Sequence, residues 1–258
     1  MNETYKVQVQ DLVDDLKAVF THAGLGGEAG EYKLLTQSFL YKFLNDKFLY
    51  LAQVLDAGNT YENLLTMSEE DYDWLLEDIG TSTAWLKPDQ LIESLHRQQN
   101  EATFYEIFEN TLNQIAIDNN DIFSVHTDGD TAIRLFDERL ITDTISDSSK
   151  RNEVAKAIIN LLTRVKFDET IFSQGFDFFS TLFEYMIKDY NKDGGGKYAE
   201  YYTPHSVAKI IADILVGNEQ PSNVRIYDPS AGSGTLLMNL ASRIGVDKTT
   251  VYSQDISQ

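Results

Sequence analysis

Val224-Arg225-Ile226-Tyr227-Asp228-Pro229-Ser230-Ala231-Gly232-Ser233-Gly234-Thr235-Leu236-Leu237 is the stretch on which the fold turns. An alternating, β-branched run leads into a turn of small residues and then an apolar stretch at helical spacing, which predicts a strand, a glycine loop and a helix. Gly232 and Gly234 lack a Cβ, so the backbone there can take positive φ and come within contact of a ligand that side chains would exclude. Asp228, at the carboxyl end of the strand, projects into the crevice where open α/β sheets bind ligands. Thr249-Thr250-Val251-Tyr252-Ser253 reads as a second strand. It ends at Asp255, about twenty residues after the loop, where a nucleotide-binding sheet places an acid on a ribose. A glycine loop plus a ribose acid implies an adenosine-bearing cofactor.

The details of the loop narrow the choice. A dinucleotide fingerprint would place Gly or Ala three residues after the second glycine, and Leu237 stands there, too large for that tight strand-to-helix approach. NAD is therefore disfavoured. A P-loop would need Gly-Lys-Ser/Thr at the helix start, and Thr235-Leu236 is not that. For the loop alone, a tight turn without a ligand is the competing reading.

The segment upstream weighs against that plain turn: Lys197-Tyr198-Ala199-Glu200-Tyr201-Tyr202-Thr203-Pro204-His205-Ser206-Val207-Ala208-Lys209-Ile210-Ile211. Thr203 is a good N-cap and Pro204 suits N1, so a helix is predicted from here to about Val216, with Gly217 ending it. The free N–H groups and positive dipole end of such a helix suit a carboxylate. S-adenosylmethionine carries a carboxylate, a sulfonium and a ribose, which a helix start, a glycine loop and a strand-end acid could serve in turn. Taken alone, the segment is equally an ordinary capped helix with tyrosines packed nearby.

Glu200-Tyr201-Tyr202-Thr203-Pro204, followed about twenty residues later by Asp228-Pro229-Ser230-Ala231-Gly232-Ser233-Gly234, resembles motifs X and I of the amino-methylating DNA methyltransferases, and Tyr252-Ser253-Gln254-Asp255-Ile256-Ser257 resembles motif II. In closest form the chain is similar to the modification subunit of type I restriction-modification systems, an N6-adenine methyltransferase. Ala199 stands where glycine is common in that family, His205 where arginine is common, and Thr235 where glycine is common. The resemblance implies an α-helical N-terminal domain over residues 1–168. After it, over residues 169–258, comes the start of a Rossmann-like α/β methyltransferase domain with an incomplete sheet.

The same resemblance implies S-adenosyl-L-methionine as cofactor. Asp228, Gly232, Ser233 and Gly234 would line its methionine and sulfonium side, Tyr202 and Thr203 its carboxylate end, and Asp255 its ribose. Glu200, Tyr201, Pro204, His205 and Thr235 complete the cofactor-binding set. The implied partners are a specificity subunit, a second modification subunit and, where restriction accompanies modification, a restriction subunit, with double-stranded DNA reached through the complex.

Adenine methylation also needs the base flipped out, stacked on an aromatic ring, with acceptors on its amino group. The family supplies these with Asn/Asp-Pro-Pro-Phe/Tyr, which does not occur among the 4 prolines here, Pro88, Pro204, Pro221 and Pro229. No catalytic residue is therefore expected in this stretch, and by itself it should not methylate. A two-strand sheet would leave open edges and an uncovered apolar face, so the chain reads as part of a larger protein. Two other classes stay in view: a non-catalytic assembly module from a truncated chain, and an NAD-binding oxidoreductase fragment.

The chain has 258 residues, no cysteine and a formal net charge of −20, with 42% hydrophobic content. Such a chain can bury a sizeable core and holds neither disulfides nor thiolate metal sites. Residues 194–258 carry 5 Lys+Arg and 6 Asp+Glu, so 16 of the 21 basic and 35 of the 41 acidic residues lie in residues 1–193, a net of −19 there. Phosphate contacts supply much of DNA affinity, so a front part this acidic is not expected to grip DNA unaided. The start lacks the basic and apolar regions of a signal peptide, and no run approaches the ~20 apolar residues that span a bilayer, so a cytoplasmic location and no membrane are expected.

Residues 1–165 read as helical. One helix is predicted over Glu3–Thr21, after which Gly24, Gly26, Gly27 and Gly30 break the pattern. The next, Glu31–Asp56, carries Leu40, Leu44, Phe48, Leu51 and Leu55 at helical spacing, widened by Phe39 and Phe43. Leu34–Leu51 resembles the N-terminal domain of the same modification subunits. Ser68-Glu69-Glu70-Asp71 starts a further helix with capping acids. Phe104, Phe108, Leu112 and Ile115 form one apolar stripe, and Val154, Ile158, Leu161 and Val165 another. Residues 118–130 and 142–149 are polar and turn-rich, predicting surface loops. His22, His96 and His126 show no metal spacing. A helix over Phe176–Tyr190 and a link over Asn191–Gly196 precede the Tyr-Tyr-Thr-Pro segment.

Overall fold

In the computed structural model, residues 3–27, 29–123, 125–126, 132–172 and 203–255 are described. The chain divides into two units, Asn2–Phe172 and Ser173–Gln258.

The first unit is built on helices. α1 covers Glu3–His22 and α2 covers Ala29–Leu55. Gly24 and Gly27 lie at φ +97 and +74 between them, the left-handed region that lets the chain reverse. Gly30, expected to break a helix, lies inside α2 instead; a Cβ there would come within 2.6 Å of Thr144 Cγ2, so its smallness serves close packing. α3 (Tyr61–Thr66) and α4 (Glu69–Ile79) follow. The Ser68 hydroxyl accepts from the Asp71 N–H at 3.2 Å, so Ser68 caps α4, and the acids Glu69, Glu70 and Asp71 stand in its first turn, where the helix dipole favours them. α5 (Ile92–Gln98), α6 (Phe104–Asp118), α7 (Asn120–Phe123), α8 (Leu140–Thr144), α9 (Arg151–Leu162) and α10 (Glu169–Phe172) complete the unit. A two-stranded antiparallel ladder, β1 (Val125–His126) with β2 (Ala132–Ile133), lies between α7 and α8.

α2 is central, and its buried face is wider than the predicted stripe. Phe39, Leu44 and Phe48 of that stripe are buried while Leu55 is 50% exposed, and Leu34, Leu35, Tyr41 and Ala52, outside it, are fully buried as well. α1, α4, α8 and α9 all pack on α2, so burial extends round most of its circumference and a single 3.6-residue stripe cannot describe it. Polar residues are drawn in with it. Lys42 and Asp46 form a buried ion pair at 2.8 Å, Asn45 donates to Asp46, and Asp46 also accepts the Phe167 N–H.

Two predicted surface loops are partly structural. Asn119 is fully buried; its side chain donates to the Trp85 and Ile115 carbonyls and accepts from the Trp85 N–H. Thr142–Thr144 belongs to α8, and the Thr142 hydroxyl donates to the buried Glu109 carboxylate at 2.7 Å. Val165 lies past the end of α9 and is only partly buried.

The described part of the second unit is a strand, a loop, a helix and a strand, preceded by one more helix. α11 covers His205–Val216, β3 Val224–Asp228, α12 Thr235–Ile244 and β4 Thr249–Ser253. β3 and β4 pair in parallel, with Val224 opposite Thr249 and Asp228 opposite Ser253. Parallel neighbours need a crossover, and α12 supplies it. Ile226, Leu237 and Ala241 form the buried centre, with Val224, Ala231, Leu240 and Ile244 packed round them. α11 buries Ala208, Ala212 and Val216, while Ile210, Ile214 and Leu215 are 59%, 74% and 65% exposed. The predicted helix over Phe176–Tyr190 and the link over Asn191–Gly196 lie outside the described residues. Among the described residues, no helix is long and apolar enough to cross a membrane.

Candidate functional site

The loop after β3 takes the shape its glycines allow. Asp228 ends the strand, and its Oδ1 accepts the Ser230 N–H at 2.9 Å, turning the chain. The Gly234 N–H donates to the Ala231 carbonyl at 2.8 Å. Gly232 and Gly234 lie at φ +53 and +72, where any side chain is disfavoured. Gly234 is also the N-cap of α12, with its carbonyl accepting the Met238 N–H. A Cβ on Gly234 would meet no atom within 4 Å, so the space beside this point of the loop is open.

Thr235, placed with the loop by its position in the motif, is the first residue of α12 and is buried. Its hydroxyl lies 2.7 Å from that of Ser233, and its carbonyl accepts from the Asn239 side chain.

The end of β4 is laced to this loop. Gln254 N–H donates to the Asp228 carbonyl and the Ala231 N–H to the Gln254 carbonyl, both at 2.9 Å. The Gly232 N–H donates to Asp255 Oδ2 at 2.7 Å. Asp228, Gly232 and Asp255 are thus brought together at the carboxyl ends of the two strands. Gln254 enters the sequence reading only as part of motif II, yet it is the joint between the two strand ends, and Tyr227 further fixes it through a 2.9 Å hydroxyl bond to its side chain. Backbone bonds of this kind are indifferent to residue type, so no sequence signal marks them.

α11 begins one residue later than the Thr203 cap predicts. Pro204 is the N-cap, with φ −54 and ψ 134, and its carbonyl accepts the Val207 and Ala208 N–H groups. Proline has no side-chain acceptor, so this helix start has no side-chain cap, and Thr203 lies just outside it. Gly217 ends the helix at φ +57 as predicted. At the far end, Arg243 of α12 donates to Asp213 of α11 and to the Gly217 carbonyl, both at 2.8 Å. The two helices pack on each other, and Arg243 ties them near their carboxyl ends. Glu200, Tyr201 and Tyr202 lie outside the described residues.

Among the described residues, no group of His, Asp and Glu is arranged to hold a metal ion. Two clefts lie in the first unit. One, about 300 Å³, is mainly apolar and lined by Ala18, Val19, Val154 and Ala157. The other, about 320 Å³, has Lys42, Asn45 and Asp46 among its polar groups, which are bonded to one another or to the backbone rather than held ready for a ligand. In the second unit an acidic strand end, a glycine loop and the start of α12 adjoin.

Residues 174–258, which contain this loop, match the family model described as N-6 DNA Methylase. The chain resembles the methylase subunits of type I restriction enzymes. It is 24% identical to the type I restriction enzyme MpnII methylase subunit of Mycoplasma pneumoniae, over 97% of this chain and 47% of that one. It is 25% identical to the MjaIX methylase subunit of Methanocaldococcus jannaschii, over 49% of this chain and 24% of the relative. The crystal structure of a type I restriction-modification system methyltransferase subunit from Streptococcus thermophilus superimposes with a TM-score of 0.64 at 19% identity, covering 99% of this chain and 53% of that one. That likeness extends the shared fold to both units. The chain spans about half the length of the MpnII methylase subunit, and less of the MjaIX one.

Proposed function

We propose that this chain is the S-adenosylmethionine-binding portion of a type I restriction-modification methylase subunit, in which a helical domain precedes the cofactor half of a Rossmann-like domain. The observation that carries the reading is the lacing of the glycine loop to the strand-end acid, with the Gly232 N–H on Asp255 Oδ2 at 2.7 Å. The residues fit the cofactor. Gly232 and Gly234 expose backbone, and the space beside Gly234 is open. Asp228 and Asp255 supply carboxylates suited to an ammonium group and to ribose hydroxyls. The amino end of α11 offers N–H groups and a positive dipole end to a carboxylate. When bound, the cofactor supplies an electrophilic methyl group on its sulfonium.

In the whole protein that methyl group is delivered to adenine N6 of double-stranded DNA, within an assembly with a specificity subunit, a second modification subunit and, where restriction occurs, a restriction subunit. The acidity of residues 1–193 fits DNA binding through such partners rather than by this chain alone. No Asn/Asp-Pro-Pro-aromatic sequence is present, so this stretch by itself binds cofactor without transferring methyl. Calorimetric titration with S-adenosylhomocysteine and, separately, NADH tests the proposal. One saturable site for the first and none for the second is expected; the reverse result rejects it.

A further inference from the structure

We infer that Asp255 is a positioning residue for the glycine loop, in addition to any contact it makes with a ribose: its carboxylate holds the loop in its binding shape before a ligand arrives. The inference rests on the reading of the loop as the cofactor site. Among the described residues, three hydrogen bonds join Asp228 and the loop after it to Gln254 and Asp255. Two of them, Gln254 N–H to Asp228 carbonyl and Ala231 N–H to Gln254 carbonyl, are backbone to backbone and continue the strand pairing. Any residue type could supply them. The third, from the Gly232 N–H, ends on a side chain, so it alone depends on what stands at position 255.

Gly232 is where such a bond has most effect. It is exposed and sits at φ +53, and glycine loses more backbone freedom on ordering than any other residue. The backbone bonds end at Ala231, and the Asp255 carboxylate extends the lacing by one residue, to Gly232. At 2.7 Å the bond lies at the short end of the range for an N–H bound to a charged oxygen, roughly twice as strong as a neutral one. A loop already fixed loses less freedom when a ligand binds, which is how preorganisation raises affinity. The commitment of Oδ2 to the loop also sets the plane of the carboxylate toward whatever its other contacts are.

The test separates bracing from ribose contact. In the ligand-free 258-residue chain, nuclear magnetic resonance should detect a through-bond coupling between the Gly232 nitrogen and the Asp255 carboxyl carbon, a measurement that needs no variant. Asp255→Ala should speed Gly232 amide exchange about tenfold, as loss of a charge-assisted bond brings, and Asp255→Asn, which keeps a neutral acceptor oxygen, should restore part of the protection. Amides of α12 such as Ala241 should be unchanged. Asp255→Ala should also weaken the 2′,3′-dideoxy analogue of S-adenosylhomocysteine, which has no ribose hydroxyls to lose, and weaken S-adenosylhomocysteine itself further. If the dideoxy analogue binds wild type and Asp255→Ala equally, or the coupling is absent, the bracing role is overturned while the cofactor reading stands. If wild type binds neither compound, the cofactor reading fails, and Gly232 exchange still reports on the brace.

Discussion

Asp46, in the middle of α2, accepts the Phe167 backbone N–H at 2.7 Å, a bond that joins residues 121 positions apart. The same carboxylate holds the buried Lys42 ammonium and the Asn45 side chain. Asp46→Ala therefore strands a buried cation and a buried N–H, and should destabilise the first unit by about 3–5 kcal/mol. Lys42→Met leaves Asp46 with Asn45 and Phe167 as donors, and should cost clearly less. Urea unfolding of both variants checks the order; equal costs would count against the network.

Two tyrosines make the first unit sensitive to alkali. Tyr41 donates to the Gln90 carbonyl at 2.6 Å and Tyr72 to the Leu86 carbonyl. Burial, with the charges of Asp46 and Asp89 adding to it at Tyr41 and that of Asp89 at Tyr72, raises both phenols above their ordinary value of 10.0. The folded chain keeps these protons where the unfolded chain has lost them. Their stabilising contribution is thus fully present below pH 10.0 and declines as pH rises from there through the raised values. Lys42, which burial lowers, acts in the opposite direction. The difference between wild type and Tyr72→Phe cancels that term, so the loss of stability above pH 10 should be smaller in the variant. Unfolding curves measured from pH 8 to pH 11 decide it, and parallel curves would contradict the assignment.

Gly234→Ala should do two separable things. At φ +72 an alanine is strained, which costs about 1–2 kcal/mol of stability. Its methyl group meets nothing within 4 Å in the free protein, so any further loss seen only in ligand affinity reports occupancy of that open space. The expected result is a modest shift in urea midpoint together with a loss of S-adenosylhomocysteine binding larger than the stability change explains.

Arg243 ties the carboxyl ends of α11 and α12 from an exposed position, through Asp213 and the Gly217 carbonyl. Exposed pairs of this kind contribute only about 0–1 kcal/mol. Arg243→Met should therefore lower stability, read from urea unfolding, by no more than about 1 kcal/mol. A larger loss would show that the tie governs the packing of α11 on α12.

The legible parts of this sequence were those governed by neighbours in the chain. β3, β4, the ends of α1 and α2 to within a few residues, the Ser68 cap and the Gly217 stop follow from alternation, periodicity and local capping, and each is where these predict. What escaped depends on distant partners. Asn119 reads as a loop residue, and its bonds to the backbone of Trp85, 34 positions earlier, are what no local pattern shows. Lys42, Asn45 and Asp46 break the apolar stripe that periodicity finds in α2, and their bonds to Phe167 and Ile92, far along the chain, draw them into the core. Gly30 reads as a breaker because the Thr144 side chain that needs its smallness is far along the chain. At the site, the glycines and acids were evident as residues, but the tie between Gly232 and Asp255 was not, since spacing alone does not aim a carboxylate.

A crystal structure of the chain with S-adenosylhomocysteine tests the central claim most directly. The account predicts the ligand's density along Ser230–Gly234, with its ribose within hydrogen-bond distance of Asp255 and its carboxylate at the amino end of α11. Ligand bound in the first unit, or a loop that stays bare at saturating concentration, would contradict it.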